Sequence, residues 1–227
     1  GTRTQDESNA RGMLVNFFSH YEIFIVIIIV MIAGTIVSEE FNKGTIKLLL
    51  VRPYKRATIL TSKFITCLIM VAIIIISIML MQFIVGGIIF GFDSFGTPTI
   101  EYDFNAHEIQ EMNIASYMLI QTIGKLPIYV LLMTLSFALS TLFNNSAVAI
   151  TLTLLGYMGS SMINMIGLQM DLDWIRYFVT PNWDLTQHFF GALPMYEGTT
   201  IEFSIVINAI YFIIMLIPTY IVFKKRN

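Results

Sequence analysis

Five apolar runs set the terms for this chain, and each is long enough to cross a lipid bilayer. They cover residues 13–37, 60–90, 116–143, 147–168 and 203–223. A helix rising about 1.5 Å per residue needs about 20 predominantly apolar residues to traverse the hydrocarbon core. The isoleucine-rich content does not turn these runs into strands. With no water to satisfy backbone N–H and C=O groups, an isolated run of this length bonds within itself, as a helix. Composition agrees: 56% of residues are hydrophobic, 12% are charged and the mean hydropathy is +0.75, against roughly a quarter charged in soluble domains. The expected fold is an all-α integral membrane domain filling residues 1–227, with lipid as its solvent. The lone cysteine, Cys67, excludes an internal disulfide framework. No metal-type spacing, Gly-rich phosphate loop or basic nucleic-acid patch stands out. No metal or cofactor on this chain and no nucleic-acid partner are therefore expected.

The basic residues orient the spans. The link after the first run holds Lys43, Lys47, Arg52, Lys55, Arg56 and Lys63, and the tail holds Lys224, Lys225 and Arg226. Five spans put both segments on one side, the cytoplasmic side by the positive-inside rule. The turn Asn144–Asn145–Ser146 falls there too. The opposite loops, 91–115 and 169–202, are acidic: Asp93, Glu101, Asp103, Glu108 and Glu111 in one, Asp171, Asp173, Asp184, Glu197 and Glu202 in the other. Residues 1–12 then form an outer loop. An odd number of spans with an outside N-terminus is accounted for by a preceding span absent from the chain. The expected location is the cell membrane, multi-pass, of bacterial cytoplasmic type.

The link at 39–56 is too polar to span and too apolar for a free loop. Gly44 permits a sharp turn and Thr45 can cap a short helix. Ile46, Leu49 and Leu50 fall at i, i+3 and i+4, a narrow apolar stripe, and Pro53 prevents smooth continuation. A short amphipathic helix at the membrane surface follows. Its apolar face can meet lipid, another helix, or a groove on a soluble partner. In order, Glu40, Phe41, Gly44, Thr45, Lys47, Leu49, Leu50, Arg52, Pro53, Arg56 and Lys63 make a pattern of eleven positions.

That pattern resembles the membrane (permease) subunit of type-2 ABC transporters, the ABC-2 family. Its members carry the pattern between their second and third spans, as a coupling helix docked on an ATP-binding subunit. The resemblance covers the layout of the chain, with the five spans as the family's second to sixth. It implies an ATP-driven exporter whose pathway forms between two permease copies or homologues. Two copies of a soluble ABC ATPase, holding ATP and Mg, would drive it. Ile46, Leu49 and Leu50 would sit in a cleft of that ATPase, with Glu40 and Arg56 at its rim or bracing the turn. Lys43, Lys47 and Arg52 would meet acidic groups, and the helix would move as a rigid body. The chain itself has no Walker motif, so ATP hydrolysis is expected on the partner and no enzymatic role here.

Lys125 lies inside the third run, in Gly124-Lys125-Leu126-Pro127. Pro127 removes a helix hydrogen bond and predicts a kink. Lys125 lies about 12 Å in from Tyr117 at the helical rise. Either its stem snorkels to the outer interface, or the charge serves a substrate pathway or gate. Trp174, Tyr177, Phe178, Trp183, Phe189 and Phe190 lie among polar residues in 169–202. They make an aromatic belt or, as the resemblance implies, a pair of re-entrant helices broken near Pro181 and Asn182. Met158, Met162, Met165 and Met170 read as ordinary helix packing, and Gly156, Gly159, Ser160 and Ser161 allow close helix approach.

Two other function classes stand as alternatives. An intramembrane enzyme needs a nucleophile with its base, or metal ligands, at membrane depth. Glu39 and Glu40 fall at the inner end of the first span, while His20, His107 and His188 all fall on the outer side. A secondary transporter shows internal repeats or midplane charges. No repeat is visible, and only Lys125 comes near the midplane. The substrate is not legible.

Overall fold

The computed structural model describes residues 10–39, 56–96, 99–103, 108–189 and 194–225. Five of its helices are long and apolar enough to cross a membrane. The first run divides in two: α1 (Ala10–Val15) and α2 (Phe17–Thr35) meet at Asn16. Asn16 marks the break because its side-chain amide donates to the Gly12 carbonyl at 3.0 Å. Residues 10–12, expected in an outer loop, are therefore helical. Ala10 is buried, and a Cβ placed on Gly86 would lie 3.6 Å from its methyl carbon. The remaining spans are α3 (Arg56–Phe90), α4 (Ile114–Phe143), α5 (Ser146–Gln169) and α6 (Ile201–Lys225).

The α3–α4 connection is more ordered than a plain loop. It contains a 3-10 turn, Asp93–Gly96, and a small antiparallel hairpin of β1 (Thr99–Asp103) and β2 (Glu108–Met112). Thr99 pairs with Met112, and Asp103 with Glu108. The α5–α6 connection carries two 3-10 turns, Asp173–Tyr177 and Leu185–His188. The pair expected here is present as these short turns, not as α-helices. Pro181, Asn182 and Asp184 between them give the backbone no continuous helical path.

Two asparagines make the α4–α5 turn. Asn144 ends α4 in the left-handed region, with φ 53°, and donates its N–H to the Ser140 carbonyl. The Asn145 side chain accepts from Ala147 N at 2.9 Å and Val148 N at 3.3 Å, satisfying orphan donors of α5. Asn113 caps α4 in the same way through Ala115 N at 3.0 Å. α4 runs through Pro127 as one helix of 30 residues, so the proline does not interrupt it.

α4 is the central helix and packs against α2, α5 and α6. Close approach comes from small and hydroxyl residues. Ser136 Oγ donates to the Val30 carbonyl at 2.8 Å, and a Cβ on Gly34 would lie 2.7 Å from Ile150 Cγ1. Phe64 of α3 meets Phe137 edge-on at 5.4 Å and Phe212 of α6 at 6.0 Å, measured between ring centroids. The outward faces stay apolar: Ile69, Ile73, Ile76, Leu80, Ile84 and Ile88 of α3 are all exposed. In a soluble protein such a band would need a partner; here it is the surface that lipid solvates.

The helices alternate in direction, giving the bundle two chemically different ends. At the basic end, Lys63 Nζ donates to the Ile36 carbonyl at 2.8 Å, Ser38 N to Ser140 Oγ at 3.2 Å, and the Thr61 and Tyr220 hydroxyls lie 2.8 Å apart. At the acidic end lie the hairpin and all three 3-10 turns.

Candidate functional site

Lys125 sits on α4 toward the acidic end. Its Nζ lies 2.6 Å from Glu22 Oε2 and 2.7 Å from Asp184 Oδ2. Glu22 comes from α2, and Asp184 from the segment between α5 and α6. The second Glu22 oxygen accepts the Tyr157 hydroxyl of α5 at 2.9 Å. Residues of four elements, up to 162 positions apart in sequence from Glu22 to Asp184, thus join one polar cluster. Its side chain is only 14% exposed. A lone charge there would be very expensive; pairing and hydrogen bonding make it tolerable.

Local sequence positions each carboxylate. Asp184 caps the Leu185–His188 turn, its Oδ1 accepting Thr186 N at 3.0 Å and Thr186 Oγ1 at 2.5 Å. That leaves Oδ2 for Lys125. Gly124, the residue before Lys125, makes room for the turn. A Cβ there would lie 2.7 Å from Thr186 Cγ2 and 3.1 Å from the Thr186 backbone nitrogen. The Lys125 stem therefore does not have to reach the interface alone, because the interfacial segment folds back to it. Tyr129, one turn further along α4, is fully buried, and its hydroxyl has no hydrogen-bond partner among the described residues.

The returning segment is held by polar contacts on three sides. Asn182, 1% exposed, donates from Nδ2 to the carbonyls of Arg176 and Phe178, both at 2.7 Å. Its own carbonyl accepts Asn208 Nδ2 of α6 at 2.9 Å. Thr180 donates to Asn164 Oδ1 of α5 at 2.8 Å, and Gln187 Nε2 to the Pro181 carbonyl at 2.6 Å.

One contact here has the composition of a nucleophile and its base. His188 Nε2 lies 2.9 Å from Ser204 Oγ. The hydrogen-bond inventory decides its polarity. Asn182 uses its amide N–H groups on two carbonyls, so its Oδ1 must accept, and Ser204 donates its single proton there at 2.8 Å. His188 Nε2–H then donates to Ser204, the reverse of general-base activation. Ser204 is also fully buried. The pair is a structural clasp. Burial holds the His188 imidazole below its usual range, with Glu202 and Asp184 pulling the other way.

Of the residues singled out from sequence, Glu40, Phe41, Gly44, Thr45, Ile46, Lys47, Leu49, Leu50, Arg52 and Pro53 lie outside the described residues. Arg56 opens α3. Lys63 closes the two ends of that segment by its bond to Ile36. Lys125 lies at the cluster, and Pro127 lies two residues on, in the same helix. Glu22, Tyr157 and Tyr129 carry the site without having been singled out. Glu22 bore the same signal as Lys125, an ionisable residue inside an apolar run.

The chain is 33% identical over 199 residues to the uncharacterized protein YhcI of Bacillus subtilis strain 168, covering 87% of this chain and 63% of YhcI. It is 32% identical over 191 residues to the uncharacterized membrane protein YdbK of the same strain, covering 82% of this chain and 72% of YdbK. The chain thus spans a little under two thirds of the first relative's length. No solved structure matches it. The family described as a protein of unknown function, DUF2705, matches over residues 2–227, and the chain belongs to that family.

Proposed function

We propose that this multi-pass membrane protein is the permease subunit of an ATP-driven ABC exporter of the ABC-2 type in a bacterial cytoplasmic membrane. The observation that carries the proposal is the eleven-position pattern from Glu40 to Lys63, nine positions of which fall in sequence between α2 and α3 and two, Arg56 and Lys63, in α3. Its last member, Lys63, donates to the Ile36 carbonyl at 2.8 Å and so ties the two spans flanking the link. A link strung between two tied spans moves with them as one lever, as coupling to a motor requires. Residues 39–56 dock on a soluble ABC ATPase that binds ATP and Mg, and a second permease copy or homologue completes the pathway.

Co-purification tests the proposal. An ATPase bearing Gly-x-x-x-x-Gly-Lys-Ser/Thr accompanies the wild-type chain. Leu49→Asp, which puts a carboxylate into the apolar stripe, or Gly44→Trp, which blocks the turn, releases it. Retention of the ATPase and of its stimulation by both variants would defeat the docking assignment.

A secondary transporter is the second reading, favoured by one observation: Glu22, Lys125 and Asp184 form an ion cluster within the bundle. Transport in sealed vesicles separates the two. ATP supplied with the ATPase drives the first, and a proton or sodium gradient alone drives the second.

A further inference from the structure

Glu22, Lys125 and Asp184 place two carboxylates against one ammonium, so the cluster is formally one positive charge short. Around it lie α2, α4, α5 and the segment before α6, with apolar and aromatic side chains such as Phe18 and Trp183 replacing much of the water. Uncompensated charge in such a place draws a counter-charge. Tyr129 supplies a separate observation. Its side chain is 0% exposed and its hydroxyl is unpartnered among the described residues. It stands one turn from Lys125 on α4, and its ring centroid lies 6.3 Å from that of Phe18, one turn before Glu22 on α2. Buried hydroxyls are almost always hydrogen-bonded, and one that is not points to a missing partner.

A bound proton would answer the charge but leave Tyr129 as it is. A bound water would answer Tyr129 but not the charge. A group with both positive charge and N–H donors answers both. We propose that the cluster is the recognition site for an ammonium or guanidinium group on the transported molecule. Glu22 and Asp184 pair with this group, and the Tyr129 oxygen accepts one of its N–H bonds. The carboxylate oxygens have lone pairs to spare beyond those taken by Lys125, Tyr157 and Thr186. Trp183 and Tyr157, with ring centroids 6.2 Å apart, add aromatic faces that favour a cation. The site is reachable, since the Asp184 side chain is 33% exposed and that of Glu22 21%. Asp171, Asp173, Glu197 and Glu202 at the same end bias the field toward cations. Assigning the group to a transported molecule rests on the permease reading; the binding itself does not.

The experiment uses the full-length protein in phosphatidylcholine nanodiscs. The chain has two tryptophans, Trp174 and Trp183, so Trp174→Phe leaves a single reporter beside Asp184. Octylammonium is titrated at neutral pH, with octanol and octyl sulfate as matched neutral and anionic probes. Octylammonium gives a saturable change in Trp183 emission, and the other two do not. Asp184→Asn and Glu22→Gln each weaken its binding about tenfold or more, as expected for loss of a close charge partner. Tyr129→Phe keeps the shape of the residue and weakens binding severalfold, so it decides the matter if a charge variant does not fold. The proposal is overturned if octanol acts as octylammonium does, or if the variants leave affinity unchanged. It is equally overturned if Trp183 emission follows pH while ignoring the amine, which would assign the balancing positive charge to a proton. No ATPase is needed, so loss of the exporter reading and loss of this site are separately visible.

Discussion

Lys125 shows how one buried charge can tie distant parts of a fold together. It neutralises part of two carboxylates brought from α2 and from the segment before α6. Lys125→Met removes the ammonium and leaves Glu22 and Asp184 facing each other. Breaking a buried pair from one side costs about 3 kcal/mol, because charge is left without compensation. Adding Glu22→Gln and Asp184→Asn to that variant removes the charge problem, and most of the lost stability returns. Equilibrium denaturation in detergent checks the difference; equal losses in the single and triple variants would mean that packing, not charge, dominates. One of the three charged members of this cluster, Lys125, was legible in the sequence. Lys125 is conspicuous beside Pro127, whereas Glu22 is a single acid near the mouth of a long apolar run. Nothing local links Glu22 to a lysine 103 positions away. Asp184 was hidden differently, since acids in outer loops are the default under a positive-inside bias.

Among the elements, the segment carrying the 3-10 turns Asp173–Tyr177 and Leu185–His188 is the least expected. Its aromatics marked it as interfacial, but aromatic content does not say whether a segment lies on the bundle or folds into it. Gly124 decides that, through a steric vacancy on α4 that fits Thr186. Gly124→Val therefore displaces the Leu185–His188 turn, since the Thr186 backbone nitrogen cannot rotate away as a side chain can. The expected readout is a red shift of Trp183 emission and loss of the Lys125–Asp184 pair, with the five-helix content unchanged by circular dichroism. The clasp between His188 and Ser204 adds a pH dependence. Burial lowers the His188 pKa, so the neutral form is favoured when folded. Its contribution is complete above the unfolded value of about 6.5 and is lost as pH falls through and below it. Melting temperature should fall between about pH 7.5 and 5.5, and His188→Gln should flatten that slope. A slope unchanged in the variant would place the titrating group elsewhere.

At the scale of the whole molecule, run length and charge asymmetry made the bundle legible, because lipid leaves a chain few alternatives. What they did not reveal was which helix lies at the centre. α4 takes that place through Ser136, Ser140 and Gly124, residues too small and too polar to register in a hydropathy count. Sidedness is the property on which the proposed coupling depends, and it bears on one contact in the structure. The Thr61 and Tyr220 hydroxyls, 2.8 Å apart, hold the start of α3 and the end of α6 at the same end of the bundle. The α2–α3 link must then share a side with Lys224 and Lys225. Cys67 is the single cysteine, so Cys67→Ser provides a background for Asp171→Cys and Lys225→Cys. In sealed, right-side-out vesicles a membrane-impermeant maleimide should label the cysteine at 171 at once, and that at 225 only after the membrane is opened. The reverse pattern would carry residues 40–55 to the exterior, where no ATP is available, and no soluble motor could then grip this chain.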